Sequence, residues 1–227
     1  MSINTWKAME ERHTVRKFKD EPLSKAVIDA LQKQIDAVNE TYGTGILLIT
    51  NRENAINPLV RLLMTRNVKN YFILGGKAGP DLDVRIGEAS TDLMLACQKL
   101  GLNTWFVGGT WNHKPVMEEA PDEKVLGILA VGYGENQGKP HKSKTFDQVC
   151  HYEGEMPQWF VNGVRASMLA PTALNKQAYM FSGKGDEVSL FVDDGTFSGV
   201  DRGILMRFFE LGAGRENFHW KENRPSA

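Results

Sequence analysis

Cysteine is almost missing from this chain: 227 residues contain two, Cys97 and Cys150. Their spacing forms no Cys-x-x-Cys pair, which excludes a disulfide scaffold and a cysteine-based metal centre and favours a reduced, cytoplasmic setting. The histidines, His13, His113, His141, His151 and His219, have no His-x-x-x-His or cysteine companion, so no metal site is expected. Charge of one sign is missing too. With 27 basic and 28 acidic residues the formal net charge is -1, so no global field recruits nucleic acid or an anionic membrane, and basic residues must be read locally. No apolar run is long enough to span a bilayer, and the opening Met-Ser-Ile-Asn-Thr-Trp-Lys lacks the apolar stretch of a secretion signal. Gly75-Gly76-Lys77 lacks the spacing of a phosphate-binding P-loop. No Gly-x-Gly-x-x-Gly follows a predicted strand, so a Rossmann domain is not expected.

What is present is the patterning of an ordinary globular chain, 41% hydrophobic and 24% charged, long enough for a sizeable core. Ser24 precedes Val27, Leu31, Ile35 and Val38, whose spacing predicts an amphipathic helix. Gly45 to Thr50 and Tyr71 to Leu74 are short apolar runs that read as buried strands, the second stopped by Gly75-Gly76. Ile86 to Leu100 repeats apolar residues at helical spacing up to Gly101, which is placed to end a core helix. Trp105 to Val107 and Val125 to Val131 read as further strands, and Gly138 to Lys144 as a polar, basic connector.

The order helix, strand, helix then recurs: Trp159 to Leu169, Val188 to Val192, Val200 to Leu211. Aligning Leu100-Gly101 with Leu211-Gly212 sets Leu93 on Ile204, although any two apolar helices ending in Leu-Gly match in part. On that alignment the expected halves are 1–150 and 151–227, together one compact unit. Gly212-Ala213-Gly214 reads as a helix terminator.

Two separated stretches carry chemistry. Arg12-His13-Thr14-Val15-Arg16 sets two cations around a hydroxyl, a grouping suited to a phosphate. Ala170-Pro171-Thr172-Ala173-Leu174-Asn175-Lys176-Gln177 is a loop of small residues and amides that can approach a flat polar ring and bond its edge. A phosphorylated cofactor with a ring needs both. Each also has a plainer reading, the first as a solvated basic turn and the second as an ordinary turn opened by proline.

These residues resemble a known family. Arg12 to Phe18 is similar to the Arg-x-Ser/Thr-x-Arg/Lys opening of FMN-dependent nitroreductases, and Ala170 to Gln177 to their Ala-Pro-Ser-x-x-Asn-x-Gln loop. Gly101 to Thr110 resembles their Gly-Leu-Gly-x-x-Trp-x-Gly-Gly segment. The resemblance spans about residues 9 to 213. The loop follows residue 169 here, whereas in most nitroreductases it follows the first helix of the family pattern. That displacement resembles a subgroup typified by a thermophile nitroreductase whose single chain mimics the usual homodimer through two related halves. The resemblance implies an α+β fold, a three-layer α/β/α sandwich with a central, mainly antiparallel sheet, possibly an internal pseudo-dimer. The chain is then either a monomeric pseudo-dimer or a homodimer.

The resemblance also implies roles. Arg12, His13, Thr14 and Arg16 fall at positions that meet the flavin phosphate, ribityl chain or pyrimidine edge. Pro171, Thr172 and Asn175 match the loop lying against the flavin, with Gln177 beside them. Gly108 and Gly109 match the backbone that reaches flavin N5 and O4, where side chains would block approach; as a glycine pair they also read as a strand-ending bend. Lys142 and Lys144, in Lys-Ser-Lys, resemble the basic phosphate contact of many nitroreductases, although a basic connector is ordinarily solvated. Trp105, Trp111, Tyr133 and Phe197 are candidates for the cavity lining or simply for the core.

The implied activity is that of an FMN oxidoreductase. NADH or NADPH would reduce FMN through N5, and a nitroaromatic, quinone or similar flat acceptor would take the electrons by ping-pong turnover, with no side-chain nucleophile needed. The other readings of these residues are a flavin carrier or sensor, and an interaction module that has lost flavin chemistry.

Overall fold

Helix α2 (Lys25–Tyr42) begins where the Ser24 hydroxyl accepts a hydrogen bond from the Val27 N–H at 3.3 Å, and ends at Gly43 in left-handed backbone, φ 59°. Leu31, Ile35 and Val38 form its buried stripe, at the spacing the sequence predicts. A short helix α1 (Thr5–Glu11) precedes it, capped by Asn4, and was not legible as an amphipathic run. The computed structural model describes residues 4–221; the expected second half, 151–227, is therefore described as far as Lys221, and 222–227 lie outside the described residues.

Strands β1 (Leu47–Ile49), β2 (Tyr71–Gly76), β3 (Asn103–Val107) and β4 (Lys124–Gly132) form an antiparallel sheet in the order β1-β2-β4-β3. The run Tyr71-Phe72-Ile73-Leu74 is continuously apolar because both sheet faces are covered. Phe72 and Leu74 enter the main core with α2 and helix α4 (Leu82–Lys99). Tyr71 and Ile73 point the other way, into a smaller core with Val15, Phe18, Trp105 and Val116, the last from helix α5 (His113–Glu119). Between β1 and β2 lies a seven-residue helix α3 (Pro58–Met64) with no buried residue.

A second sheet, β5-β6-β7-β8, comprises β5 (Cys150–Glu153), β6 (Tyr179–Lys184), β7 (Glu187–Val192) and β8 (His219–Trp220). The β6–β7 hairpin is antiparallel, whereas β5 and β8 join it in parallel. Helices α6 (Gln158–Ser167) and α7 (Ser198–Ala213) pack with α4 between the sheets, in one core that draws Phe160, Phe181, Leu205, Phe208 and Phe209 together with Leu93 and Phe72. The expected central sheet is thus divided in two.

Helices α4 and α7 touch backbone to backbone. A Cβ on Gly87 would collide with the Val200 carbonyl and one on Gly203 with the Val84 carbonyl. The contact is reciprocal: Val84 and Val200, like Gly87 and Gly203, stand 116 residues apart, as do the starts of β2 and β7, of α4 and α7, and of β3 and β8. The sequence alignment through Leu-Gly, which separates paired residues by 111, is therefore out of register. Its error has a physical cause. Gly101, at φ 76°, follows the end of α4, but Gly212 lies inside α7, where a Cβ would strike Asn162 and Ala166 of α6. One glycine ends a helix and the other lets two helices approach; Gly214, at φ 79°, is the cap of α7.

Candidate functional site

The segment after α1 is held along the free edge of β3. Thr14 forms a parallel bridge with Thr104, and the Val15 N–H donates to the Thr104 carbonyl at 3.0 Å. Lys17 and Phe18 bridge in turn to Arg66 and Gly134, so the whole Arg12-to-Phe18 stretch is anchored. Val15 and Phe18 face the core. Arg12 is also drawn inward, 4% exposed, whereas Arg16 lies exposed with its guanidinium 5.3 Å from the Trp105 ring centroid.

The basic connector is brought onto this segment by a turn. The Asn103 side chain accepts from the Gly134 N–H at 3.0 Å and donates to Gln137 at 3.1 Å. Gly138, at φ 72°, then presses on His13 and the Thr14 carbonyl so closely that a Cβ would not fit. The following residues border a cavity of about 130 Å³ whose polar lining is Glu10, Arg12, His13, His141 and Ser143, with Met9 and Leu169 among its apolar lining. That is well beyond the ~30 Å³ share of one water molecule.

The electrostatics of this cavity are unbalanced. Among the described residues Arg12 pairs with no carboxylate; one Nη donates to the Leu169 carbonyl at 3.4 Å, and its buried Nε has no partner. Burial alone lowers its pKa to about 10. His141 Nε2 is likewise buried without a partner. Burial, then the Arg12 charge, pushes both His13 and His141 below the usual imidazole range. A buried polar nitrogen without a partner is costly; a bound anion would accept from the Arg12 N–H, and from His141 Nε2 when that nitrogen carries a proton.

The Pro171-to-Gln177 loop is tied to the same connector. Gln177 is 5% exposed; its amide N–H donates to the Lys142 carbonyl at 2.7 Å and to Asn175 Oδ1 at 3.1 Å, and its Oε1 accepts from the Lys144 N–H at 2.9 Å. Lys144 Nζ donates to the Gln177 carbonyl at 2.7 Å, Asn175 Nδ2 donates to the Lys142 carbonyl at 3.2 Å, and Thr172 Oγ1 accepts from the Gln177 N–H at 3.1 Å. Leu174, Asn175 and Gln177 all hold positive φ without being glycine, a strained arrangement, and Leu174 is 90% exposed. From the far side the Asp201 carboxylate accepts the Ala173 N–H at 3.0 Å; burial raises its pKa to about 6.

Gly108 and Gly109 follow β3. The Phe197 ring, just before α7, packs where a Gly108 side chain would stand, and Trp111 donates its indole N–H to the Gly108 carbonyl at 3.0 Å. Beside this bend, the Asn57 N–H donates to the Thr110 carbonyl at 3.0 Å and Ile56 bridges to Trp111, which sets α3 there with Leu59, Leu62, Leu63 and Met64 exposed.

A chain of contacts therefore runs from Arg12 and Thr14 along β3 to Gly108, across Phe197 and Asp201 to Ala173, and back through Gln177 and Lys144 to His141. Of the residues read from the sequence, Arg12 and His13 line the small cavity, and Thr14 anchors its strand. Thr172, Asn175 and Lys144 spend their polar groups on holding the loop. Lys142 contributes its carbonyl and is exposed, Pro171 opens the loop, and Arg16 stands apart on Trp105. His141, Ser143 and Asp201 were not singled out. His141 immediately precedes Lys142-Ser143-Lys144, a signal available in the sequence; Asp201, separated from the loop by β6 and β7, offered none.

Among the described residues no group of three or more His, Cys, Asp or Glu side chains is placed to hold a metal ion, and no helix is long and apolar enough to cross a membrane. Residues 4–213 match the model of a family described as "Putative TM nitroreductase". A search of curated proteins returns no match. Among solved structures, the chain is similar to a "putative nitroreductase" from Thermotoga maritima, with a TM-score of 0.67 and 21% identity over 100% of this chain and 92% of that one. It is similar over 66% of its length to 98% of a "Putative NADH dehydrogenase/NAD(P)H nitroreductase" from Parabacteroides distasonis, with a TM-score of 0.52 and 21% identity. Over 69% of its length it is similar to all of a "putative nitroreductase in complex with fmn" from Desulfovibrio desulfuricans, with a TM-score of 0.51 and 14% identity. At such identities these likenesses establish the shared fold.

Proposed function

The chain belongs to the nitroreductase family, and on that premise we propose that it is an FMN-dependent oxidoreductase that takes electrons from NADH or NADPH and delivers them to a flat nitroaromatic or quinone-like acceptor. The observation that carries this reading is the pair of buried nitrogens that find no partner among the described residues, Arg12 Nε and His141 Nε2, on two residues that line one small cavity next to the loop that matches the flavin loop of the family. These residues fit a phosphorylated flavin. Arg12, His13 and His141 hold its phosphate, and Thr14 lies along the same strand edge. The glycine bend at Gly108-Gly109 and the Pro171–Asn175 loop receive the ring.

FMN, when bound, supplies the two-electron chemistry; the protein supplies binding, orientation and electrostatics. Gln177 fixes the loop against the connector, so the loop is set before the cofactor arrives. Phe197 and the apolar surface of α3 beside the bend suit a flat, weakly polar acceptor, with Trp105 buried in the core behind them.

The reading extends to the organisation of the chain: two related halves, 1–150 and 151–227, with one flavin site between them. The constant 116-residue displacement of β2/β7, α4/α7 and β3/β8 supports it. So does the loop after α2, Gly43 to Ile46, which has none of the Pro-Thr-x-x-Asn-x-Gln chemistry.

The test is the visible spectrum of freshly purified protein before and after anaerobic NADH or NADPH. Flavin absorption that bleaches, at one FMN per chain, is the expected result; parallel initial-rate lines against a quinone then follow from ping-pong turnover. Bound flavin that neither nucleotide bleaches would make the chain a carrier or sensor. A protein that stays colourless after FMN is added would end the proposal.

A further inference from the structure

We propose that His141 is a phosphate-anchoring residue that takes up a proton as FMN binds, so that the hold of this chain on FMN weakens as pH rises above neutrality. The inference rests on the function proposed above and adds to it a change of protonation at one of the phosphate-holding residues and the regulation that follows. His141 Nε2 is buried and finds no partner among the described residues, and His141 lines the same cavity as Arg12, itself 4% exposed. A phosphate placed there would meet Arg12 and His141 at once. Arg12 is charged at any ordinary pH and its contribution is constant. An imidazole can change charge, and a dianion beside it favours the protonated form.

The protein's own groups pull His141 the other way. Burial above all, then the Arg12 charge and least of all His13, disfavour the protonated ring, and the Met168 carbonyl only partly opposes them, so without an anion the neutral ring is favoured. Glu10 of α1 borders the cavity, but its exposed carboxylate accepts the Trp6 indole N–H at 3.0 Å. Lys139 and Lys142 on the same connector are exposed. From the end of α6, Met168 and Leu169 bring backbone carbonyls, the latter already bonded to Arg12. No carboxylate buried in this cavity holds the histidine charged beforehand, so the phosphate supplies the charge that does. Protonation is then linked to binding, and linkage requires FMN affinity to fall as pH rises through the pKa of the bound imidazole.

The measurement is the dissociation constant of FMN and of riboflavin, followed by flavin fluorescence between pH 6.5 and 8.5. The slope is read from pH 7 upward, where the second phosphate ionisation, at about pH 6, is about nine-tenths complete. FMN is expected to bind roughly three- to tenfold more weakly per pH unit, the upper figure being the limit for one linked proton. Riboflavin, lacking the phosphate, should bind weakly with no such slope. In His141→Gln, which keeps an N–H donor without a titrating charge, the FMN slope should flatten while His13→Gln retains it.

Equal slopes for FMN and riboflavin would place the titrating group at the ring end and overturn the inference without any variant. A slope that survives in His141→Gln, or is lost only in His13→Gln, would overturn it as well. FMN bound tightly but with no pH dependence would sink this inference and leave the proposed function standing. Failure of both flavins to bind at every pH would remove both.

Discussion

The two loops that meet the starts of α4 and α7 solve the same problem in opposite ways. After α2, Arg85 donates to the Tyr42 carbonyl at 2.9 Å and to the Gly43 carbonyl at 2.5 Å, and Asn39 bonds both polar groups of the Ile46 backbone at 2.9 Å. The one left-handed residue there is a glycine, Gly43. After α6, Asp201, 116 residues beyond Arg85, accepts the Ala173 N–H, but three non-glycine residues hold positive φ, and two buried nitrogens near the loop, Arg12 Nε and His141 Nε2, find no partner among the described residues. The first loop holds its backbone without strain, although the Glu123 carboxylate packed against Gly45 leaves one buried oxygen unpaired. The second stores strain beside an electrostatically incomplete cavity, a combination that stability alone does not favour and that a ligand completes.

The comparison breaks most completely where both loops depend on one contact. Gly203→Val drives a side chain into the Val84 carbonyl and should cost about 3 kcal/mol or more, read as a large fall in thermal midpoint or loss of soluble protein. The arginines separate the two loops directly. Arg12→Met should weaken FMN binding about 100-fold while the apoprotein melts no lower, because a buried unpaired charge is removed. Arg85→Met should do the reverse, costing about 1–3 kcal/mol of stability with FMN affinity unchanged. Were both arginines to affect the melt alone, the contrast between a structural loop and a binding loop would fail.

Backbone strain gives a smaller test. Gly43→Ala imposes a left-handed cost of about 1 kcal/mol, whereas Leu174→Gly removes one and should raise the thermal midpoint slightly. A loss of stability in Leu174→Gly would mean that the loop is not strained. Last comes Glu88 on α4, bonded to neither loop. Burial, then Glu210, pushes its carboxyl up to about 7 from an unfolded value near 4.5. The native state therefore binds this proton more tightly, and the associated stability is complete below pH 4.5 and lost as pH rises through about 7. Solvent screening should keep the effect below about 1 kcal/mol. Glu88→Gln should flatten that decline in melts taken from pH 5 to 8.

Much of the fold was legible because burial imposes periodicity. Leu31, Ile35 and Val38 on α2 and the unbroken apolar run of β2 announced their elements, since each depends on local spacing. Helices α1, α3 and α5 were not seen: each has seven residues, too few for a stripe to repeat, and α3 buries none of its apolar side chains. Strand β8 has two residues and exists because β7 offers an edge. At the site, Arg12 and the Pro171–Gln177 loop were readable as residue types suited to an anion and a ring. Arg16 carries the same charge as Arg12 and stands exposed on Trp105, a difference set by which neighbour lies against β3.

The amino-acid sequence by itself determined the start of α2 at Ser24, the end of α4 before Gly101, the apolar faces, the lack of metal-ligand spacing and the two stretches that carry the family resemblance, because each rests on residues close together in the chain. The tertiary structure alone decided that Gly212 packs against α6 while Gly101 follows a helix end, that the strands divide into two sheets, and that His141 joins Arg12 although 129 positions separate them. Burial and pairing are properties of space. A donor becomes costly, and so becomes a candidate ligand, only when the whole chain has removed water from it and brought no acceptor in return.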